Sequence, residues 1–128
     1  FMPLAPILAN DHHMVKNVTT GQIIATRVKL CNTFFTRGRG LIFRPALDED
    51  EAFVFVESKE SVGLTTIHMF FVFFPIAVIW LDAEKRVVDK KLARPFRPYY
   101  APQRPAQYYL ECHPNALDKV EIGHQLTF

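Results

Sequence analysis

From Thr66 to Leu81 the chain reads TIHMFFVFFPIAVIWL, and from Met69 onward every residue is apolar. A bilayer-spanning helix needs ~20 such residues, so this run is too short to be one. Pro75 interrupts it, and proline cannot donate to a sheet ladder. The run therefore reads as two strands, Thr66 to Phe74 and Ile76 to Leu81, each apolar on both faces. A strand of that kind must be covered on both sides, which commits the chain to a layered β core.

The remaining segments supply partners for it. Thr19-Thr20-Gly21 reads as a turn, followed by a half-buried strand from Ile23 to Leu30 with Arg27 and Lys29 on the outward face. Asn32 is placed to cap a short helix through Phe34, Phe35 and Arg37, which Gly38 and Gly40 would end. Asp48-Glu49-Asp50-Glu51 is an acidic run that reads as a solvated loop. Ala52 to Val56 reads as a central strand, and Ser58 to Gly63 as a polar loop. Asp82-Ala83-Glu84-Lys85 reads as a hairpin turn from which Arg86 to Leu92 returns. Arg94 to Pro105, RPFRPYYAPQRP, holds too many prolines for a helix or a ladder and reads as an extended surface loop. Gln107 to Cys112 is a further strand, Pro114 to Val120 a helical turn with Pro114 near its start, and His124 to Phe128 a last strand. The expectation is a mainly β domain, a compact sandwich or barrel of about seven strands with one or two short helices. It would occupy residues 15–128 as one domain, with residues 1–14 as an N-terminal extension.

Composition narrows the partners. Fifteen basic residues stand against 13 acidic ones, which argues against a dedicated nucleic-acid binder without excluding a local basic patch. No segment reads as a membrane span, so no membrane partner is expected. Cys31 and Cys112 are the only cysteines; as reduced, partly buried thiols they suggest a cytoplasmic address. No nucleotide or dinucleotide fingerprint and no nucleophile elbow occur, and the five histidines show no metal-ligand spacing. No cofactor or metal is therefore expected.

Several stretches line up with one family. Arg39-Gly40-Leu41-Ile42-Phe43-Arg44 resembles its GLMxR signature, and Phe53-Val54-Phe55 resembles its apolar MLFVF strand. Ile67 to Val78 resembles IHTFFMRFPIDVV, Trp80-Leu81-Asp82 resembles FLD, and Tyr109-Leu110-Glu111 resembles VLE. Ile122-Gly123-His124 is similar to a late glycine-aspartate region. On these residues the chain resembles domain of unknown function family 192 over roughly residues 15–128. The resemblance implies a compact β domain and no established reaction. Four positions depart from the pattern: Ile42 for Met, Phe73 for Arg, Ala77 for Asp, and His124 for Asp.

Five residues stand out as ligand-binding candidates. Arg44 and Glu111 match family positions and could clamp a ligand, the first through an anion and the second through a hydroxyl, or form a structural ion pair. His68 could be a base or ligand, or an ordinary strand histidine. Arg97 and Tyr99 belong to the proline-rich loop, where guanidinium groups and aromatic rings suit stacking on sugars, bases or peptide, or merely packing over the sheet. Adjacent Cys112 and His113 would point to opposite faces of a strand and so cannot easily pair as nucleophile and base. The leading expectation is a binding or accessory domain for a small anionic or carbohydrate-like molecule, or for a protein. One alternative is a small hydrolase-like enzyme using Glu111, His68 and Asp82. The other is a structural unit that forms homo-oligomers through its Phe-rich strand.

Overall fold

A computed structural model describes residues 14–31 and 46–128. Residues 1–13 and 32–45 lie outside the described residues, and with them the extension, the expected helix through Phe34 and Phe35, and the GLMxR-like stretch. Eight strands are present among the described residues: β1 Val15–Asn17, β2 Ile23–Ala25, β3 Arg27–Cys31, β4 Glu51–Ser61, β5 Ile76–Leu81, β6 Val87–Ala93, β7 Ala106–Cys112 and β8 Leu126–Thr127. One 3-10 helix, Pro114–Lys119, follows β7.

The strands form two open sheets, ordered β2-β1-β8 and β3-β4-β7-β5-β6. Only β3 and β4 run parallel; the other pairings are antiparallel. The larger sheet ends at β3 and β6 without joining them, so the fold is a sandwich and not a closed barrel.

Side chains alternate between the two faces of the larger sheet. One face carries Ala52, Val54, Ala77, Ile79, Leu81, Leu110 and Cys112. It is covered by the small sheet through Val15, Ile24, Ala25 and Leu126, and by the 3-10 helix through Ala116. The other face carries Cys31, Phe53, Phe55, Val78, Trp80 and Tyr109, and is covered by Ile67, Met69 and Val72 from the loop between β4 and β5. β5 is wholly buried because both layers meet on it.

Polar groups fasten the ends. Asn17 is fully buried. Its Nδ2 donates to the Lys119 carbonyl and bonds His124 Nδ1, while its Oδ1 accepts from the Thr19 and Thr20 amides. Lys90 Nζ donates to the Leu117 and Val120 carbonyls, closing the 3-10 helix onto β6. Arg27 forms a two-pronged pair with Asp50 and a further bond to Asp48, so part of the acidic run aligns the start of β3 with that of β4.

Three expectations need correction. The strand expected from Ile23 to Leu30 breaks at Thr26, and its halves join different sheets: Ile24 and Ala25 pack from the small sheet onto the same core that Val28 and Leu30 meet from the larger one. The loop expected at Ser58 to Gly63 is strand as far as Ser61, where β4 runs on past the core edge with exposed side chains. Thr66 to Phe74 is not a strand: it crosses the sheet face as an irregular segment whose only ladder contact among the described residues is the Ile67–Tyr100 bridge. Its buried members, Ile67, Met69 and Val72, point into the core, while Phe70, Phe71 and Phe73 do not.

Candidate functional site

The larger sheet sets one carboxyl in an apolar row. Glu111 on β7 faces Phe53 of β4 on one side and Val78 of β5 on the other. Its neighbours Leu110 and Cys112 belong to the opposite face, so its side chain shares the face of Phe55, Trp80 and Tyr109. Among the described residues no hydrogen bond or ion pair reaches its carboxyl. Burial alone pushes that carboxyl up to about 8, so it is mostly protonated at neutral pH. Burial likewise pushes Cys31 and Cys112 up to about 12, which leaves neither as a thiolate nucleophile. The two thiols are free and lie on opposite faces of the sheet.

A second feature is built by the segments 62–75 and 94–105, which run together over the same face. Ile67 and Tyr100 exchange both backbone hydrogen bonds, the Met69 amide donates to the Arg97 carbonyl, and the Phe96 amide donates to the Met69 carbonyl. Trp80 Nε1 donates to the Thr65 carbonyl and so ties the first segment to the sheet. The second segment is tied to β6 by Lys91 Nζ on the Ala101 carbonyl and by the Gln103 amide on Asp89. The Arg94 amide donates to the Tyr100 hydroxyl, closing the loop on itself.

This loop pair holds three phenylalanine rings partly in solvent. The Phe96 ring meets Phe71 at 6.1 Å and Phe73 at 5.2 Å between centroids, edge to face in both cases. The exposures are 45% for Phe96, 50% for Phe71 and 57% for Phe73. Phe71 and Phe96 adopt φ of 61° and 62°, the left-handed region that bulky side chains rarely enter. Phe70 and Tyr99 are exposed beside them.

The structure brings three of the candidate residues together and separates the others. His68, Arg97 and Tyr99 all belong to the loop pair and all are exposed. His68 is not in a strand; its Nδ1 accepts from the Phe70 amide and its ring lies 5.3 Å from that of Phe70. Glu111 belongs to the sheet, and Arg44 lies outside the described residues. Asp82 sits in the hairpin turn, where its Oδ1 accepts from the Glu84 and Arg86 amides. It lies four residues along β5 from Val78, the partner of Glu111, or about 13 Å at strand spacing. The grouping of Glu111, His68 and Asp82 is therefore not assembled. Among the described residues no three His, Cys, Asp or Glu side chains gather closely enough to hold a metal ion. Three of the four phenylalanines between Met69 and Pro75, Phe70, Phe71 and Phe73, are exposed; an all-apolar stretch carries no local sign of which of its rings face water.

The departures from the family pattern also acquire places. Ala77 is buried on the face opposite Glu111, so an acid at that position would not meet the Glu111 carboxyl. His124 Nδ1 bonds Asn17 Nδ2 and accepts from the Glu121 amide, two bonds that an aspartate could equally accept. Phe73, in place of Arg, completes the exposed ring cluster.

An open two-sheet β domain with an aromatic loop pair across its larger sheet defines the class. The profile of the family described as "Uncharacterized ACR, COG1430", domain of unknown function 192, matches residues 15–128, and the chain belongs to this family. It is 40% identical over 117 residues to a UPF0127 protein of Thermococcus sibiricus, covering 90% of this chain and 74% of that protein. It is 43% identical over 98 residues to a UPF0127 protein of Thermococcus kodakarensis, covering 77% of this chain and 60% of that one. The match thus spans about three-fifths to three-quarters of these relatives' own length. Among solved structures, a protein of unknown function from Novosphingobium aromaticivorans shares the fold at a TM-score of 0.76 and 22% identity, over 90% of this chain and 82% of its own. A Sinorhizobium meliloti protein shares it at the same TM-score and 18% identity, over 89% of each chain.

Proposed function

We propose that this chain is a non-catalytic binding domain that recognises an anionic ligand with an apolar portion through the loop pair 62–75 and 94–105. The observation that carries the reading is the exposed ring cluster of Phe71, Phe73 and Phe96, two of them in left-handed backbone. Such backbone costs on the order of 1–3 kcal/mol per residue. Rings half in water return only part of that to folding, so the arrangement fits a surface kept for contact. Arg94, Arg97 and Arg104 are exposed on the same loops, and neither segment contains an Asp or Glu. Loops carried on a rigid sheet are common places for recognition. The two buried thiols support a reducing compartment, such as the cytoplasm, for this role.

Calorimetric titration with octyl phosphate, octyl glucoside and an acidic peptide tests the reading. Octyl phosphate is expected to bind the wild type, and Arg94→Glu with Arg97→Glu to lower its affinity at least tenfold. An absence of binding by all three probes, or binding indifferent to charge reversal, would overturn it.

A further inference from the structure

We infer that the partner of this surface is an anionic lipid bilayer, onto which the chain docks peripherally by its exposed phenylalanines. The inference rests on the binding role proposed above and names the ligand. No helix among the described residues is long and apolar enough to cross a membrane. That argues against spanning by a helix and leaves surface docking open.

Three observations favour a lipid surface. First, Phe71, Phe73 and Phe96 meet edge to face, so they form a compact apolar wedge and not the parallel platform on which bases or sugars stack. Second, the composition around the wedge is that of an interface. Tyr99, three residues along the loop from Phe96, is 67% exposed, with a ring suited to the headgroup level, and Arg94, Arg97 and Arg104 lie on the same loop. None of the 13 carboxylate side chains falls within 62–75 or 94–105, so no acid on these segments would repel an anionic headgroup. Asp82 and Glu84 stand in the hairpin turn, at the end of the β5–β6 ladder away from Ile76 and Ala93, where the two loops join the sheet. Third, the wedge is already ordered. The bonds from Trp80, Lys91, Asp89 and Tyr100 hold both segments, so docking loses little conformational freedom.

The test is co-sedimentation of the whole chain with vesicles of phosphatidylcholine alone and of equal parts phosphatidylcholine and phosphatidylglycerol. Sedimentation with the anionic vesicles only is expected. Arg94→Glu and Arg97→Glu should each lower the partition coefficient about fivefold or more. The triple variant Phe71→Ala, Phe73→Ala, Phe96→Ala should lose binding while keeping its β-type circular dichroism. A Phe73→Trp variant gives a readout independent of any loss: bromine-labelled anionic lipid should quench residue 73 and leave buried Trp80 emitting. If octyl phosphate binds in solution but neither vesicle sediments the chain, the lipid partner is excluded and the binding role stands. If neither probe binds, both fall. Equal affinity for a single-stranded oligonucleotide, or a dimer that the triple variant disperses, would overturn the lipid assignment in favour of that partner.

Discussion

Glu111 is a carboxyl whose surroundings oppose its charge. It lies between Phe53 and Val78 with its value pushed up to about 8, against 4.5 for an ordinary glutamate. A folded state that holds this proton more tightly than the unfolded chain is stabilised by it at low pH. The contribution is complete below about 4.5, falls by about 1.4 kcal/mol per pH unit between the two values, and is gone above the folded value. Glu111→Gln keeps the shape and cannot ionise. Urea unfolding from pH 4 to pH 9 should therefore show the wild type losing stability relative to Glu111→Gln as pH rises. Parallel pH profiles for the two proteins would mean that the carboxyl is solvated or paired. The motif resemblance picked out this residue, and the alternation of β7 explains its burial. What the sequence does not carry is how this face is kept dry, because that depends on the segment laid across it. His124 teaches the complementary lesson: a change from the family's aspartate looks like a lost functional group on paper, yet its Nδ1 takes part in the bond network of Asn17.

At the scale of elements, β5, β6, β7 and the 3-10 helix were legible because each has an unambiguous local signal: a doubly apolar run, a hairpin turn, or a proline at a helix start. The crossing segment 62–75 was not. Its apolar residues satisfy a central-strand pattern, but β5 already has β6 and β7 as neighbours, so no ladder position beside it is free. The segment instead lies over the sheet, secured by Trp80 and by the proline-rich loop. The left-handed backbone at Phe71 in that segment and at Phe96 in the proline-rich loop has no composition signature. It does have an energetic one. Phe96→Ala keeps the left-handed strain and loses the ring contacts, whereas Phe96→Gly loses the same contacts and relieves the strain. Thermal unfolding should therefore find Phe96→Gly more stable than Phe96→Ala by about 1 kcal/mol, the reverse of the usual order at an ordinary loop position. Alanine equal to or better than glycine would remove the strain from the case for a surface kept for contact.

At the scale of the whole molecule, the two sheets share one core and cannot be independent units. The small sheet has strands of two or three residues and covers the larger one through Val15, Ile24, Ala25 and Leu126. Two- and three-residue strands are too short to hold together alone in water, so their stability is borrowed from the shared interior. Asn17 is the polar joint of that arrangement, linking β1 to the end of the 3-10 helix and to the final turn. Asn17→Ala leaves the Lys119 carbonyl and the Thr19 and Thr20 amides without their bonds, and should cost about 2–3 kcal/mol. The form of the loss is the more telling result. Trp80 reports the loop-covered face and far-ultraviolet dichroism reports both sheets, so in a single cooperative unit the two transitions move down together in the variant. If the dichroism instead fell in two steps, the first without a change in Trp80 emission, the small sheet would be a detachable flap. The loop pair, tied to the larger sheet through Trp80, Lys91 and Asp89, would then stay in place when that flap opened.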